Sequence, residues 1–145
     1  MRLQFASLAL PLLLLGACER PATDVTVEDA WVRLGATPAN PAAGYFTIKG
    51  GPADDRLVFV FSPVVIKTEL HESSMEGGMM RMAPLKDGVP VPKGSTVEFK
   101  PGGKHVMLYN VNPGIVPPRT LTLNFSFASG KQLVAEAKVF RQGDK

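Results

Sequence analysis

Polar and apolar residues alternate strictly over much of the second half of the chain. In 119–127 (RTLTLNFSF), Leu121, Leu123, Phe125 and Phe127 fall on one face, with Thr120, Thr122, Asn124 and Ser126 on the other. In 131–140 (KQLVAEAKVF), Leu133, Ala135, Ala137 and Val139 alternate with Val134, Glu136, Lys138 and Phe140. A period of two is the mark of half-buried strands. Ser129-Gly130 between the two runs reads as a hairpin turn. Further strands are predicted over about 25–34, 43–49, 56–61, 65–73, 79–83, 95–100 and 104–110, separated by breaks rich in Gly, Pro, Asn and Asp. No segment holds a helical period over three turns, and there is no internal repeat. Short strands at this spacing predict an all-β domain, an antiparallel sandwich or Greek-key barrel. Trp31, Tyr45 and Phe46 are expected as core or rim aromatics.

The N-terminus has a different pattern. Residues 1–17 (MRLQFASLALPLLLLGA) carry Arg2, a Leu-rich apolar run and small closing residues, as a signal peptide does. They end on Leu15-Gly16-Ala17-Cys18, which resembles a bacterial lipobox, the motif in which the Cys becomes the lipidated N-terminus. The expected organisation is a lipoprotein signal peptide over 1–17 and a lipidated Cys18 with a short tether to residue 24. A binding domain over 25–142 and a tail over 143–145 complete it. A multiply acylated anchor would hold the domain on a membrane surface; a secreted soluble form is the alternative.

Composition narrows the chemistry. At 145 residues the chain supports one domain. Its single Cys excludes an internal disulfide and a thiolate cluster. A net charge of +3 is too small to point to a nucleic-acid partner, and none is expected.

Once Met1 is set aside with the signal, every His and Met lies in one window: His71, Met75, Met79, Met80, Met82, His105 and Met107. Methionines that merely fill core gaps have no reason to avoid the rest of a β domain. Residues 72–82 read as a hairpin turning at Gly77-Gly78. A two-residue loop pairs 76 with 79, 75 with 80, 73 with 82 and 71 with 84. His71, Met75, Met80 and Met82 then share a face. Met79 points to the other face and is assigned to ordinary packing. His105 and Met107, two apart in a strand, also share a face. Thioether sulfur is a soft, neutral donor that suits Cu(I) rather than Ca(II), Mg(II) or Zn(II), and imidazole suits copper in either oxidation state. The window holds only four acids (Glu72, Glu76, Asp87, Glu98) against five bases (Arg81, Lys86, Lys93, Lys100, Lys104), too few carboxylates for a hard cation. Without a thiolate, such a site would bind Cu(I) reversibly.

This arrangement resembles the PCuAC-type periplasmic copper chaperones, whose pattern is His, ten residues, Met, about twenty-one residues, His, one residue, Met. Ten residues separate His71 from Met82 and one separates His105 from Met107. The middle spacer, 83–104, is one residue longer than the pattern. The extra residue falls in the loop-rich LKDGVPVPKGS stretch, where insertion is tolerated. Asp29-Ala30-Trp31-Val32-Arg33, Ala42-Ala43-Gly44-Tyr45-Phe46, Asp54-Asp55-Arg56-Leu57, Glu69-Leu70-His71-Glu72 and Lys100-Pro101-Gly102-Gly103-Lys104-His105 carry the resemblance along the domain. It implies a cupredoxin-like β-barrel with His71, Met82, His105 and Met107 as Cu(I) ligands. It also implies delivery of copper to cytochrome oxidase in concert with Sco-type proteins. Met75 and Met80 stand outside the pattern and are auxiliary candidates. The chain ends FRQGDK, without the His/Met-rich tail that adds Cu(II) binding in some relatives.

The expected protein is therefore a monomeric, non-enzymatic copper carrier. Its partners would be the copper ion, a cytochrome oxidase subunit and a Sco-type protein, met at the periplasmic face of a bacterial membrane. A blue-copper electron carrier would need a Cys within its site. A hydrolase would need a nucleophile motif such as G-x-S-x-G, which is absent. The competing reading is a membrane-anchored assembly or structural lipoprotein without metal delivery.

Overall fold

The computed structural model describes residues 23–144. The expected signal peptide and Cys18 lie outside the described residues. Among those described there is no helix. Ten strands form one continuous sheet: β1 (Thr26–Arg33), β2 (Ala42–Lys49), β3 (Asp55–Phe61), β4 (Val65–Glu76), β5 (Met79–Pro84), β6 (Val89–Val91), β7 (Thr96–Phe99), β8 (Lys104–Val111), β9 (Thr120–Phe127) and β10 (Gln132–Phe140). Their order across the sheet is β5-β4-β8-β7-β2-β1-β10-β9-β3-β6, with β8 also pairing with β2. Pairing is largely antiparallel; β1 lies parallel to β10, and β7 touches β8 in parallel at Phe99 and Lys104. The sheet curls until β3 meets β4, where the Thr68 hydroxyl donates to the Val60 carbonyl. The all-β barrel expected from alternation is thus the fold observed.

The alternating positions build the core. Leu121, Leu123, Phe125 and Phe127 of β9 are buried, with Ala137 and Val139 of β10 beside them. Phe46 stacks on Phe99 at 4.2 Å and meets Phe125 edge-on at 4.8 Å. Each such large side chain contributes roughly 1.5–3 kcal/mol by leaving water.

Three details depart from the pattern read along the chain. β6 falls inside the stretch expected to be loop. Val89 and Val91 are buried on either side of an exposed Pro90, whose missing N–H is harmless on an edge strand. β4 runs to Glu76, beyond the expected end at 73, so β4 and β5 form an arm that outruns the barrel. Every residue of β5 is exposed, and Met79 is 61% exposed. Met79 therefore does not pack, because neither face of the arm is covered there. The hairpin register itself is the expected one: Glu76 with Met79, Met75 with Met80, Ser73 with Met82 and His71 with Pro84. Gly77 and Gly78 both take positive φ (57° and 80°), as a two-residue type I′ turn requires.

Gly88 joins the arm to β6. Its φ is 75°, and a Cβ there would lie 2.3 Å from the Leu57 carbonyl oxygen. Gly130 also has positive φ (89°) but faces open space. Gly88→Ala should cost about 3 kcal/mol, whereas Gly130→Ala should cost only about 1 kcal/mol of left-handed strain. Urea unfolding midpoints of the two variants check this; equal losses would contradict the packing described at Gly88.

Candidate metal centre

The site is built where β4 crosses from barrel to arm. β4 and β8 pair antiparallel, with Leu70 opposite Val106, His71 opposite His105 and Glu69 opposite Met107. Leu70 and Val106 point into the core. By alternation, His71, His105, Glu69 and Met107 stand on the outer face. The two imidazole centroids are 5.9 Å apart, at an interplanar angle of 60°. His105 is nearly closed off at 4% exposure, and His71 is largely covered. Tyr45 of β2 flanks His105 with its ring centroid at 6.5 Å, and burial pushes its phenol pKa up. Behind Tyr45 lies Trp31 at 4.4 Å, with the Arg33 guanidinium over both rings.

Hydrogen bonds fix which nitrogen of each ring is free. His105 Nδ1 is 2.9 Å from the Gly103 carbonyl. A carbonyl can only accept, so Nδ1 carries the proton and Nε2 the lone pair. His71 Nε2 is 3.2 Å from Glu69 Oε2. The Glu69 carboxyl is held below the usual range, first by its bond to Lys67, then by those to Tyr109 and His71. It is therefore ionised near neutrality and accepts from Nε2–H, leaving the lone pair of His71 on Nδ1. Those two nitrogens, His71 Nδ1 and His105 Nε2, are buried and have no hydrogen-bond partner. An unsatisfied buried acceptor is costly and rare. Two on facing rings form a place for a cation that accepts lone pairs.

The remaining expected ligands lie on the same face but on opposite sides of the pair. Met107 follows His105 by two residues on β8, half-buried and opposite Glu69. Met82 lies on β5 opposite Ser73, one diagonal step from His71, and is 53% exposed. The structure thus brings the two imidazoles together and flanks them with one sheltered and one solvent-facing thioether. Met75 and Met80 pair farther out on the arm. Cys18 lies outside the described residues. No group of three or more His, Cys, Asp or Glu suited to a metal occurs among the described residues.

Reading the sequence for donors alone overlooks Glu69. It orients His71, while its own Oε1 meets Lys67 Nζ at 2.8 Å and its Oε2 takes the Tyr109 hydroxyl at 3.1 Å. Burial first, then this carboxylate, raises the Tyr109 pKa. The signal was available: Glu69 is two residues before His71 and so shares its strand face. Carboxylate partners of this kind set imidazole tautomer and basicity in metal sites.

The neutral forms of the two rings should therefore differ. In 15N NMR at neutral pH, His71 is expected with its proton on Nε2 and His105 with its proton on Nδ1. Glu69→Ala should turn His71 into a tautomer mixture and leave His105 as it was. The reverse assignment would contradict the hydrogen bonding described.

The comparisons with known proteins bear on the whole domain. A family model described as "Putative lipoprotein LpqE-like" matches residues 25–139. The "Putative lipoprotein Lxx21020" of Leifsonia xyli subsp. xyli (strain CTCB07) is 28% identical over 112 residues, covering 77% of this chain. The chain spans 66% of that relative's length, a little under two thirds. Among solved structures, the "Copper-bound PCuAC domain from PmoF2" has a TM-score of 0.66 at 20% identity, covering 83% of this chain and 95% of that one. The "Solution structure of CuI-DR1885 from Deinococcus Radiodurans" gives a TM-score of 0.56 at 22% identity, covering 90% and 85%. At these identities the likeness is one of fold, the β-barrel or sandwich of PCuAC domains. With the match running from the start of β1 almost to the end of β10, the chain belongs to the LpqE-like lipoprotein family and has the PCuAC-type fold.

Proposed function

We propose that this protein is a Cu(I) carrier of the bacterial cell envelope. It would hold one ion through His71, Met82, His105 and Met107 and release it to an acceptor. The observation that carries this reading is the pair of buried imidazole lone pairs without a donor, flanked by thioethers on the same face. Copper is cargo here, so binding must be firm but reversible. Two neutral imidazoles and two neutral thioethers fit that demand and select a soft monovalent ion. Glu69 and Gly103 hold the imidazole lone pairs in place. Met107 offers a sheltered sulfur, and Met82, on the open arm, a sulfur that closes over the ion or swings away to free it. The copper-bound PmoF2 domain and CuI-DR1885 share this fold, which supports copper as the cargo and Cu(I) as its state.

The reading extends to place and partner. Cys18 would carry lipid and tether the domain at the periplasmic face of a membrane, in line with the lipoprotein descriptions of its family and relative. A cytochrome oxidase copper centre, reached with a Sco-type protein, is the proposed destination.

Anaerobic titration of the purified protein with Cu(I) against a competing chelator tests the cargo. One equivalent should bind, and a Met82→Ala, Met107→Ala variant should hold it at least about tenfold more weakly. Protons compete with copper for imidazole nitrogen, so the affinity should fall as the pH is lowered. Failure to retain an equivalent, or an affinity indifferent to pH and to both thioethers, would overturn the reading. Metabolic labelling with a fatty acid tests the anchor. Cys18→Ser should lose the label; equal labelling would reject lipidation there.

A further inference from the structure

The β4–β5 arm carries more soft donors than the proposed site uses. Met75 and Met80 are direct cross-strand partners, and Met82 follows Met80 by two residues on the same face. Opposed residues of this kind have Cβ atoms about 5 Å apart, and diagonal neighbours about 7–8 Å. The three side chains are 64%, 60% and 53% exposed, so none fills a core gap. Pairing across the hairpin would be served better by β-branched or aromatic residues. The arm's other face is unlike this one. It presents Glu72, Ser74, Glu76, Met79, Arg81 and Ala83, with Arg81 Nε 2.9 Å from Glu76 Oε2 and a single thioether, Met79, at the turn. One face of an uncovered hairpin thus mixes charges with one lone methionine, and the other sets three thioethers side by side in a ladder leading toward His71.

We propose that Met75, Met80 and Met82 form a second, weaker Cu(I) site, an entry station from which the ion passes to the His71–His105 pair. This rests on the Cu(I) reading given above. Three neutral thioethers take a soft monovalent ion and reject Zn(II), Mg(II) and Ca(II). A donor molecule can reach the exposed tip, whereas it cannot reach the nearly buried His105. Met82 belongs to both sites and links them. Transfer is ligand exchange: bonds from copper to the Met75 and Met80 sulfurs break as bonds to His71 Nδ1, His105 Nε2 and the Met107 sulfur form, with Met82 retained. The ion stays Cu(I). Both nitrogens already present lone pairs, so neither an electron nor a proton has to move.

The test uses the full chain with methyl-13C methionine, Ag(I) as a redox-inert stand-in for Cu(I), and stopped-flow loading from a Cu(I) chelate. In a His71→Ala, His105→Ala variant, Ag(I) should still shift the Met75, Met80 and Met82 methyl signals, with an affinity at least tenfold below that of the parent. Adding Met75→Leu and Met80→Leu should abolish that binding. In the parent background the same two Leu substitutions, both at exposed positions, should slow Cu(I) loading at least fivefold. Methyl signals of Met75 and Met80 that ignore Ag(I), or loading at the parental rate in the Leu variant, would overturn the entry station. A parent that holds no equivalent at all would instead overturn the carrier reading, and the Ag(I) arm would still decide whether the thioether ladder binds metal.

Discussion

The pairing of β4 with β8 sets His71 directly opposite His105 on the outer face of the barrel. Every property of the site follows from that register. A one-residue slip of β4 against β8 would turn His71 into the core, bring Leu70 out to solvent and separate the two imidazoles. The buried apolar partners therefore hold the polar ones in place. Hydrogen bonds to Gly103 and Glu69 finish the arrangement by spending one nitrogen of each ring and leaving the other without a partner. A small barrel thus keeps two buried acceptors open with ordinary packing and one carboxylate.

The molecule divides its labour between a closed body and an open arm. The barrel supplies rigidity: Phe46, Phe99 and Phe125 lock its centre, and the Trp31–Tyr45 pair walls the site beside His105. The arm supplies access, since β5 is exposed throughout. The carrier proposed above would need both properties, because a fully enclosed ion could not be passed on and a fully exposed one would be lost to competing ligands. The proposed donor set would serve the same end. Imidazole and thioether are neutral, so a Cu(I)-bound state would carry a single added positive charge, with no thiolate to hold the ion irreversibly. The Lys67–Glu69 pair beside His71 adds no net charge.

Much of this was legible in the sequence because strand geometry is periodic. The alternation in 119–127 and 131–140 marks β9 and β10 and the side each buries. Gly77-Gly78 fixes the hairpin register, since two adjacent positive-φ residues leave one short loop that works. Other features were not legible, for identifiable reasons. Val-Pro-Val reads as loop because Pro breaks ladders, yet an edge strand needs no N–H on its outer side. Met79 reads as packing because alternation gives a side chain's face but not what lies against it. The approach of β4 to β8 joins segments more than thirty residues apart. Neither strand's own pattern encodes that pairing, and it is what places Glu69 against Met107 and aligns the two rings. The resemblance in spacing bridged that gap for the histidines but carried no information about the carboxylate that orients one of them.

In the proposed carrier, imidazole and thioether would meet on one copper ion. X-ray absorption at the copper edge of the anaerobically loaded protein addresses it directly. A Cu(I) edge with a first shell of both nitrogen and sulfur, and the outer-shell scattering of imidazole rings, is the predicted result. A shell of light atoms alone, or of sulfur without imidazole, would contradict it.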